Sequence, residues 1–324
     1  MLSANPTQTL PRAIFLMGPT ASGKTDLAVA LTEQLPCDII SVDSALVYRD
    51  MDIGSAKPDA ETLARAPHRL ISFLDPSEPY SAAQFRRDAL CESTNIVQNG
   101  RIPLFVGGTM LYFKILLEGI AEMPAADAAL RAALSAEAEQ CGWPAMHAKL
   151  AEVDPIAAAQ LHPNHSQRIL RALEVHTLTG VPLSSLQKQQ KQQQAEPLPF
   201  RPIQLALIPS DRVALHQRIE RRFDQMLATG FIEEVRQLYQ RGDLSTDLPS
   251  MRAVGYRQVW EHLAGNTTEA EMRSAGIAAT RQLAKRQLTW LRGWPNLHTI
   301  PVAEPFCLEK VTQTALKILT EVGI

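Results

Sequence analysis

Short apolar runs alternate with amphipathic stretches over the first 120 residues. AIFLM (13–17) is a continuous apolar run that ends in a glycine loop, the pattern of a strand buried on both faces. TDLAVALTEQL (25–35) follows, with Leu27, Leu31 and Leu35 at helical spacing. CDIISVD (37–43) predicts a second strand ending in an aspartate, and RIPLFVGGT (101–109) a third ending in two glycines. Between them SAAQFRRDALCESTNIVQNG (81–100) reads as a helix stopped by Gly100. Strands alternating with helices predict an α/β fold: a parallel sheet of the P-loop NTPase type with helices on both faces.

From about residue 119 the pattern changes. The alanine-rich stretch 123–161 reads as helical throughout, and SQRILRALEVHTLTG (166–180) adds another helix. QKQQKQQQAEPLP (187–199) is polar, low in complexity and closed by proline, and is expected to be a mobile loop. IQLALI (203–208) then returns to a core strand. Helical stretches at 211–241 and 267–293 and a last strand at 296–300 complete the pattern, with no internal repeat. Residues 1–118 and 201–324 are therefore expected to form the α/β core, with 119–200 as an inserted helical domain.

Of 324 residues, 45% are apolar, enough to bury a large core, and the formal net charge of −2 gives no global field for nucleic acid. Cys37, Cys91, Cys141 and Cys307 are too scattered for zinc-ligand spacing. They suit a reducing compartment. The first residues lack the basic-then-apolar order of a signal peptide, and no apolar run has the length of a membrane span. These features predict a cytoplasmic protein with no membrane association, and a monomer is expected.

GPTASGKT (18–25) matches the phosphate-gripping pattern G-x-x-x-x-G-K-[ST] at Gly18, Gly23, Lys24 and Thr25. Its strand and helix flanks are those the motif requires. Backbone N–H groups of Pro19's successors Thr20, Ala21, Ser22 and Gly23, at a helix N-terminus, would cradle phosphate oxygens. Lys24 would add a positive charge and the Thr25 hydroxyl a ligand for Mg²⁺. Such loops usually hold ATP or GTP. An NTP hydrolase also needs an acidic strand end to support the metal. The third strand ends in VGGT with no carboxylate, so Asp43 is the one good candidate near the loop. It can support a metal, act as a base, or cap a turn; spacing alone leaves these open. Gly107 and Gly108 let backbone approach a ligand at the carboxyl edge of the sheet, and Thr109 offers a hydroxyl.

Charge is segregated along the chain. Residues 249–294 carry seven Arg and Lys against three Glu, whereas 120–154 carry six carboxylates against two cations. Arg281, Lys285 and Arg292 fall near one helix face, which suits an RNA backbone. Arg168 and Arg171 share a face of the 166–180 helix near Gln167, while Ile169 and Leu173 turn inward. His162, His165 and His176 lack metal-ligand spacing.

Together with SVDSALVYR (41–49), MDIGSAKP (51–58), YSAAQF (80–85), GGTMLY (107–112), LHPNHSQRILRALEV (161–175), MRAVGYRQVW (251–260) and TRQLAKRQLTWLR (280–292), the loop resembles the bacterial tRNA dimethylallyltransferase (tRNA isopentenyltransferase) family over nearly the whole chain. Leu46 stands where many members have Gln, Ser55 where many have Thr, and Arg69 where many have a second His. The zinc finger of eukaryotic members is absent.

The resemblance implies transfer of a dimethylallyl group from dimethylallyl diphosphate to N6 of the adenosine 3′ to the anticodon, in tRNAs reading codons that begin with U. The partners implied are the tRNA anticodon stem-loop and the prenyl diphosphate, with Mg²⁺ as cofactor. Asp43 is then the base, with Lys24 and Thr109 beside it. The diphosphate is held by residues 18–25 and Arg222. The implied tRNA contacts are Asp43, Ser44, Ala45, Leu46, Thr109, Arg131, Gln167, Arg168, Ile169, Leu170, Arg171, Arg252, Gly255, Tyr256, Arg281, Gln282, Lys285 and Arg286. Rival readings are an adenylate isopentenyltransferase acting on free AMP or ADP, a P-loop kinase, and an RNA-binding ATPase switch.

Overall fold

The structure, a computed structural model, describes residues 10–120, 123–192 and 197–324. In chain order the first elements are β1 (Arg12–Met17), α1 (Lys24–Gln34), β2 (Cys37–Val42), α2 (Ala60–Arg65), β3 (His68–Arg69), α3 (Ala82–Gln98), β4 (Ile102–Gly107) and α4 (Met110–Glu118). Five helices follow: α5 (Ala128–Cys141), α6 (Trp143–Val153), α7 (Pro155–Gln160), α8 (Ser166–Thr179) and α9 (Leu183–Gln192). The chain then continues as β5 (Arg201–Pro209), α10 (Arg212–Ala228), α11 (Phe231–Gln240), α12 (Tyr256–Leu263), α13 (Glu269–Arg292), β6 (Leu297–Val302) and α14 (Leu308–Glu321).

The six strands form one sheet in the order β3-β2-β4-β1-β5-β6, and every neighbouring pair is parallel. Side chains alternate across it. Phe15 and Met17 of β1 point into one core with Phe85 of α3 and Phe113 of α4. Ile14 and Leu16 point into the other, with Leu27 and Leu31 of α1 and Ala315 and Leu319 of α14. Both faces are covered, which is why these strands read as unbroken apolar runs. The strand order places β1 between β4 and β5, so the glycine loop after β1 lies at the middle of the carboxyl edge. Gly107 is required where β4 meets β2: a Cβ there would lie 2.0 Å from the Val42 carbonyl oxygen.

The chain divides into two compact units, one running to Leu117 and resuming at Leu198, the other spanning Glu118–Pro197. The second has its own core, with Leu134, Met146, Leu150, Ile169 and Leu173 packed together. No helix among the described residues is long and apolar enough to cross a membrane.

Three local expectations change. The stretch 211–241 is two helices, because Gly230 adopts φ +103° and ends the run between α10 and α11. The alanine-rich stretch breaks into α5, α6 and α7, with prolines near the starts of the latter two. The expected glutamine-rich loop is helical to Gln192, and residues 193–196 lie outside the described residues. Gln and Lys are good helix formers. The start of α9 is also pinned by Asp154, which accepts the Ser184 N–H at 2.8 Å and its hydroxyl at 2.6 Å. Helices α4 and α14 were not foreseen. Four consecutive residues of α4 (Phe113, Lys114, Ile115 and Leu116) contain three buried apolar side chains, so amphipathic periodicity is weak there.

Candidate active site

The loop between β1 and α1 places Gly23 at the N-cap of α1 with φ +87° and no side-chain cap, so the first-turn N–H groups remain available to an anion. By contrast α3, α5, α10 and α13 begin on Ser81, Asp127, Asp211 and Thr268 side chains that bond those groups. A cavity of about 900 Å³ opens above the loop. Its lining includes residues 20–26, Asp43, Ser44, Ala45, Leu46, Thr109, Arg222, Arg252, Gly255, Tyr256 and Arg286. All of these belong to the first unit. The cavity thus gathers residues that are up to 286 positions apart in the chain, from Thr20 to Phe306.

Asp43 follows the last residue of β2. Its Oδ1 accepts the N–H of Ala45 at 2.8 Å and of Leu46 at 3.4 Å. Oδ2 makes no hydrogen bond among the described residues and is free to take a proton. Burial raises the Asp43 carboxyl above the ordinary carboxylate value, against the two backbone N–H groups and the charges of Lys24 and Arg222. Thr109 follows the strand end of β4, and its hydroxyl accepts the Ser44 N–H at 3.2 Å, tying the two strand ends together.

Lys24 donates to the Pro19 carbonyl at 2.7 Å. Burial, then the positive charge of Arg222, push its ammonium down to about 7, opposed by Asp43. An anionic diphosphate stabilises the ammonium form, so binding should take up a proton. Diphosphate affinity should therefore fall as pH rises above about 7. Calorimetry in buffers of different ionisation heat reads this uptake directly, and Lys24→Arg should abolish it. Equal proton uptake in the arginine variant would assign the effect to another group.

Arg222 projects into the cavity from α10, and burial lowers its pKa despite Asp43 and Asp26 nearby. Sequence reasoning missed its neighbour one turn earlier. Arg218 also lines the cavity, with its Nη1 on Glu304 at 3.1 Å. Its Nε and Nη2 are buried without a partner among the described residues, which leaves two donor nitrogens for an anion. The i, i+4 spacing in RIERR was the available signal. Gln287 was missed as well. It is a polar residue on the inward face of a helix, and its carboxamide accepts the Thr20 N–H at 2.8 Å. Thr20 remains in the diphosphate set by position, but its N–H is already engaged.

Several residues expected at an RNA contact are buried or already engaged with protein partners. Ile169 is fully buried and Leu170 nearly so, both in the core of the helical unit. Arg131 and Arg171 both bond the buried carboxylate of Glu174, at 2.8 and 2.6 Å. Tyr256 is fully buried; its hydroxyl donates to Glu234 at 2.6 Å and accepts the Ser55 N–H at 3.2 Å. Gly255 is buried beneath Phe231. Glu234 also accepts the N–H groups of Asp52, Ile53 and Gly54, so it and Tyr256 shape the 51–58 loop that walls the cavity. Arg281 pairs with Glu220 at 2.8 Å, which offsets its charge. Gln167, Arg168, Gln282, Lys285 and Arg286 are exposed, and Arg252 sits 3.4 Å from Asp247 at the cavity wall. Arg69, at a position where the resemblance favours His, bonds Glu92 at 2.6 Å.

The described residues contain no group of three or more His, Cys, Asp or Glu that could hold a metal by itself. The cavity floor offers oxygen donors instead, the Thr25 hydroxyl and the carboxylates of Asp26 and Asp43. One or two carboxylates completed by phosphate oxygens and water is the coordination Mg²⁺ favours, so the donor set fits that ion.

A parallel sheet carrying a glycine loop at its carboxyl edge, with a carboxylate and two arginines around the same cavity, defines a P-loop-like α/β fold with an anion-binding site. The sequence model of the IPP transferase family matches residues 46–294, and that of the isopentenyl transferase family matches residues 11–72. The chain therefore belongs to the IPP transferase family. It is similar to the tRNA isopentenylpyrophosphate transferase of Bacillus halodurans, at 36% identity over 96% of this chain and 97% of that one, with a TM-score of 0.68. The tRNA delta(2)-isopentenylpyrophosphate transferase of Staphylococcus epidermidis shares 31% identity over 97% and 100% of the two chains, with a TM-score of 0.68. A eukaryotic dimethylallyltransferase acting on tRNA shares the fold at 23% identity, covering 96% of this chain and 80% of that chain, with a TM-score of 0.77.

Proposed function

We propose that this protein transfers the dimethylallyl group of dimethylallyl diphosphate to N6 of the adenosine 3′-adjacent to the anticodon, in tRNAs that read U-starting codons. It acts in the cytoplasm as a monomer. The observation that carries the reading is the meeting, in one cavity, of a glycine-loop anion cradle with a half-buried carboxylate, Asp43, that keeps one oxygen free of hydrogen bonds among the described residues.

Cleavage of the allylic carbon–oxygen bond leaves charge on the departing diphosphate. The α1 N-terminal N–H groups, Lys24, Arg222 and Arg218 are the donors that would stabilise it. Thr25, with a neighbouring carboxylate, would hold Mg²⁺, which when bound offsets the same charge. The acceptor nitrogen is a weak nucleophile because its lone pair is delocalised into the purine. It must lose a proton as it bonds carbon, and Oδ2 of Asp43 is the acceptor for that proton. The adenosine has to leave its stack to reach the cavity, at a cost of a few kcal/mol. Exposed Lys285 and Arg286 on α13, with Gln167 and Arg168 on α8, are the residues proposed to hold the RNA against that cost.

Prenyl-labelled dimethylallyl diphosphate, Mg²⁺ and unfractionated tRNA test the reading. Label should appear on adenosine in RNA. Label on added AMP alone would favour the free-nucleotide enzyme, and γ-phosphate transfer from ATP without prenyl transfer would favour a kinase.

A further inference from the structure

We infer that Gln287 is a positioning residue that sets the register between the diphosphate cradle and the base, an inference resting on the transfer reading above. Gln287 lies on α13 and is 7% exposed. Its Oε1 accepts the Thr20 N–H at 2.8 Å, and its Nε2 donates to the Gly108 carbonyl at 2.9 Å. Thr20 belongs to the glycine loop that follows β1, and Gly108 to the turn that follows β4. One carboxamide therefore joins the two strand ends that frame the cavity floor.

The chemistry of the two partners is specific. One is an N–H and the other a C=O, so the bridging group must accept at one end and donate at the other. A carboxamide does both. A carboxylate would face the Gly108 carbonyl with like partial charge, and an apolar side chain would leave both backbone groups unmet in a buried place.

The glycine at 108 belongs to the same device. A Cβ there would lie 2.3 Å from Gln287 Nε2 and 3.3 Å from the Gly18 carbonyl oxygen. Gly108 is not in the left-handed region, so its lack of a side chain answers the close approach of the carboxamide. From Gly108 the chain passes to Thr109, whose hydroxyl holds the Ser44 N–H next to Asp43. The continuous path runs glycine loop, Gln287, Gly108, Thr109, Ser44, Asp43. It fixes the distance between the group that holds the leaving diphosphate and the group that takes the proton. The exposed Lys285 and Arg286 are on the same helix, one and two residues before Gln287. The proposed RNA-facing side of α13 and the strut are therefore parts of one rigid element.

The test compares wild type with Gln287→Leu, Gln287→Ala, Gly108→Ala and the double variant Gln287→Ala/Gly108→Ala. Four readouts are taken: single-turnover transfer, tRNA affinity, inorganic diphosphate affinity, and hydrogen exchange of the 18–25 segment. In Gln287→Leu, transfer should fall about tenfold to a hundredfold, as expected for misplaced reacting groups. The tRNA affinity should stay within about twofold and exchange should quicken in 18–25. Gly108→Ala should lower transfer similarly. The double variant should be no worse than either single change, because the alanine then occupies space the carboxamide has vacated. Additive losses in the double variant, or wild-type transfer and loop exchange in Gln287→Leu, would overturn the inference. If the wild-type chain moves no prenyl group, the transfer reading fails. Diphosphate affinity and loop exchange still decide whether Gln287 organises the cradle: unchanged values reject it, and weakened binding with faster exchange supports it.

Discussion

Asp43→Ala is expected to reduce dimethylallyl transfer by about 10²–10⁴-fold, the usual contribution of a positioned proton acceptor, while tRNA affinity stays within a few-fold. The loss should fall on the single-turnover rate. Asp43→Asn separates chemistry from structure. Its side-chain oxygen can still accept the Ala45 N–H that Asp43 Oδ1 accepts now. The turn is kept and the base is lost, so Asn should be as inactive as Ala. Substantial activity in either variant would remove Asp43 from its proposed role.

The same residue carries a stability signature. Burial raises the Asp43 carboxyl above its ordinary value, 3.8. Between that value and the raised one, the folded chain holds a proton that the unfolded chain has lost. The free energy of unfolding therefore decreases as pH rises through this window, and the cost persists at neutral pH. Asp43→Asn mimics the protonated form, so it should raise the melting temperature of the donor-free protein at neutral pH. An inactive variant that is more stable than wild type is the mark of a site held strained for function.

Glu174→Ala should give the largest loss of stability, localised in the helical unit. Glu174 is fully buried on α8. Its carboxylate accepts Arg131 Nε and Nη2 at 2.8 and 3.0 Å, Arg171 Nη1 at 2.6 Å and the Asp127 N–H at 2.9 Å. Burial alone would raise its pKa, but the bonds from Arg131, Arg171 and Asp127 outweigh burial and lower it. Its stabilising contribution is thus present above the ordinary value of 4.5 and is lost as pH falls below it. Removing one partner of a buried pair costs about 3–5 kcal/mol. Both arginines are partly solvated, at 38% and 28% exposure, so about 2–4 kcal/mol is expected here. Hydrogen exchange should show faster opening of 128–179 with the sheet unaffected. A uniform change across both units, or none, would count against it. Arg131→Ala and Arg171→Ala will also loosen this unit, so their effects on tRNA binding need a stability control.

The central strands β1, β2, β4 and β5 were legible because each holds a short, largely apolar run, and both faces of the sheet are covered there; β3, only His68–Arg69, carries no such signal. The glycine loop was legible because its function depends on backbone geometry that only a few residues permit. Helix α9 was misread because polar composition predicts solvation, whereas its start is held by Asp154, some thirty residues earlier. The break at Gly230 was missed because a single glycine leaves helical periodicity almost untouched. Arg131, Arg171 and Arg281 were readable as charges, but their partners were not.

The linear chain by itself determined the α/β class, the phosphate loop, Asp43 as the acidic strand end beside it, and the inserted helical stretch. These follow from local periodicity and from motifs whose members are close in sequence. The tertiary structure alone decided which polar groups are spent and which are available. It buried Tyr256 against Glu234, committed two arginines to Glu174, left two donor nitrogens of Arg218 without partners among the described residues, and set Gln287 between Thr20 and Gly108. A side chain's type states what it can bond. Only the packing of segments as far as 267 residues apart determines which partner comes within reach.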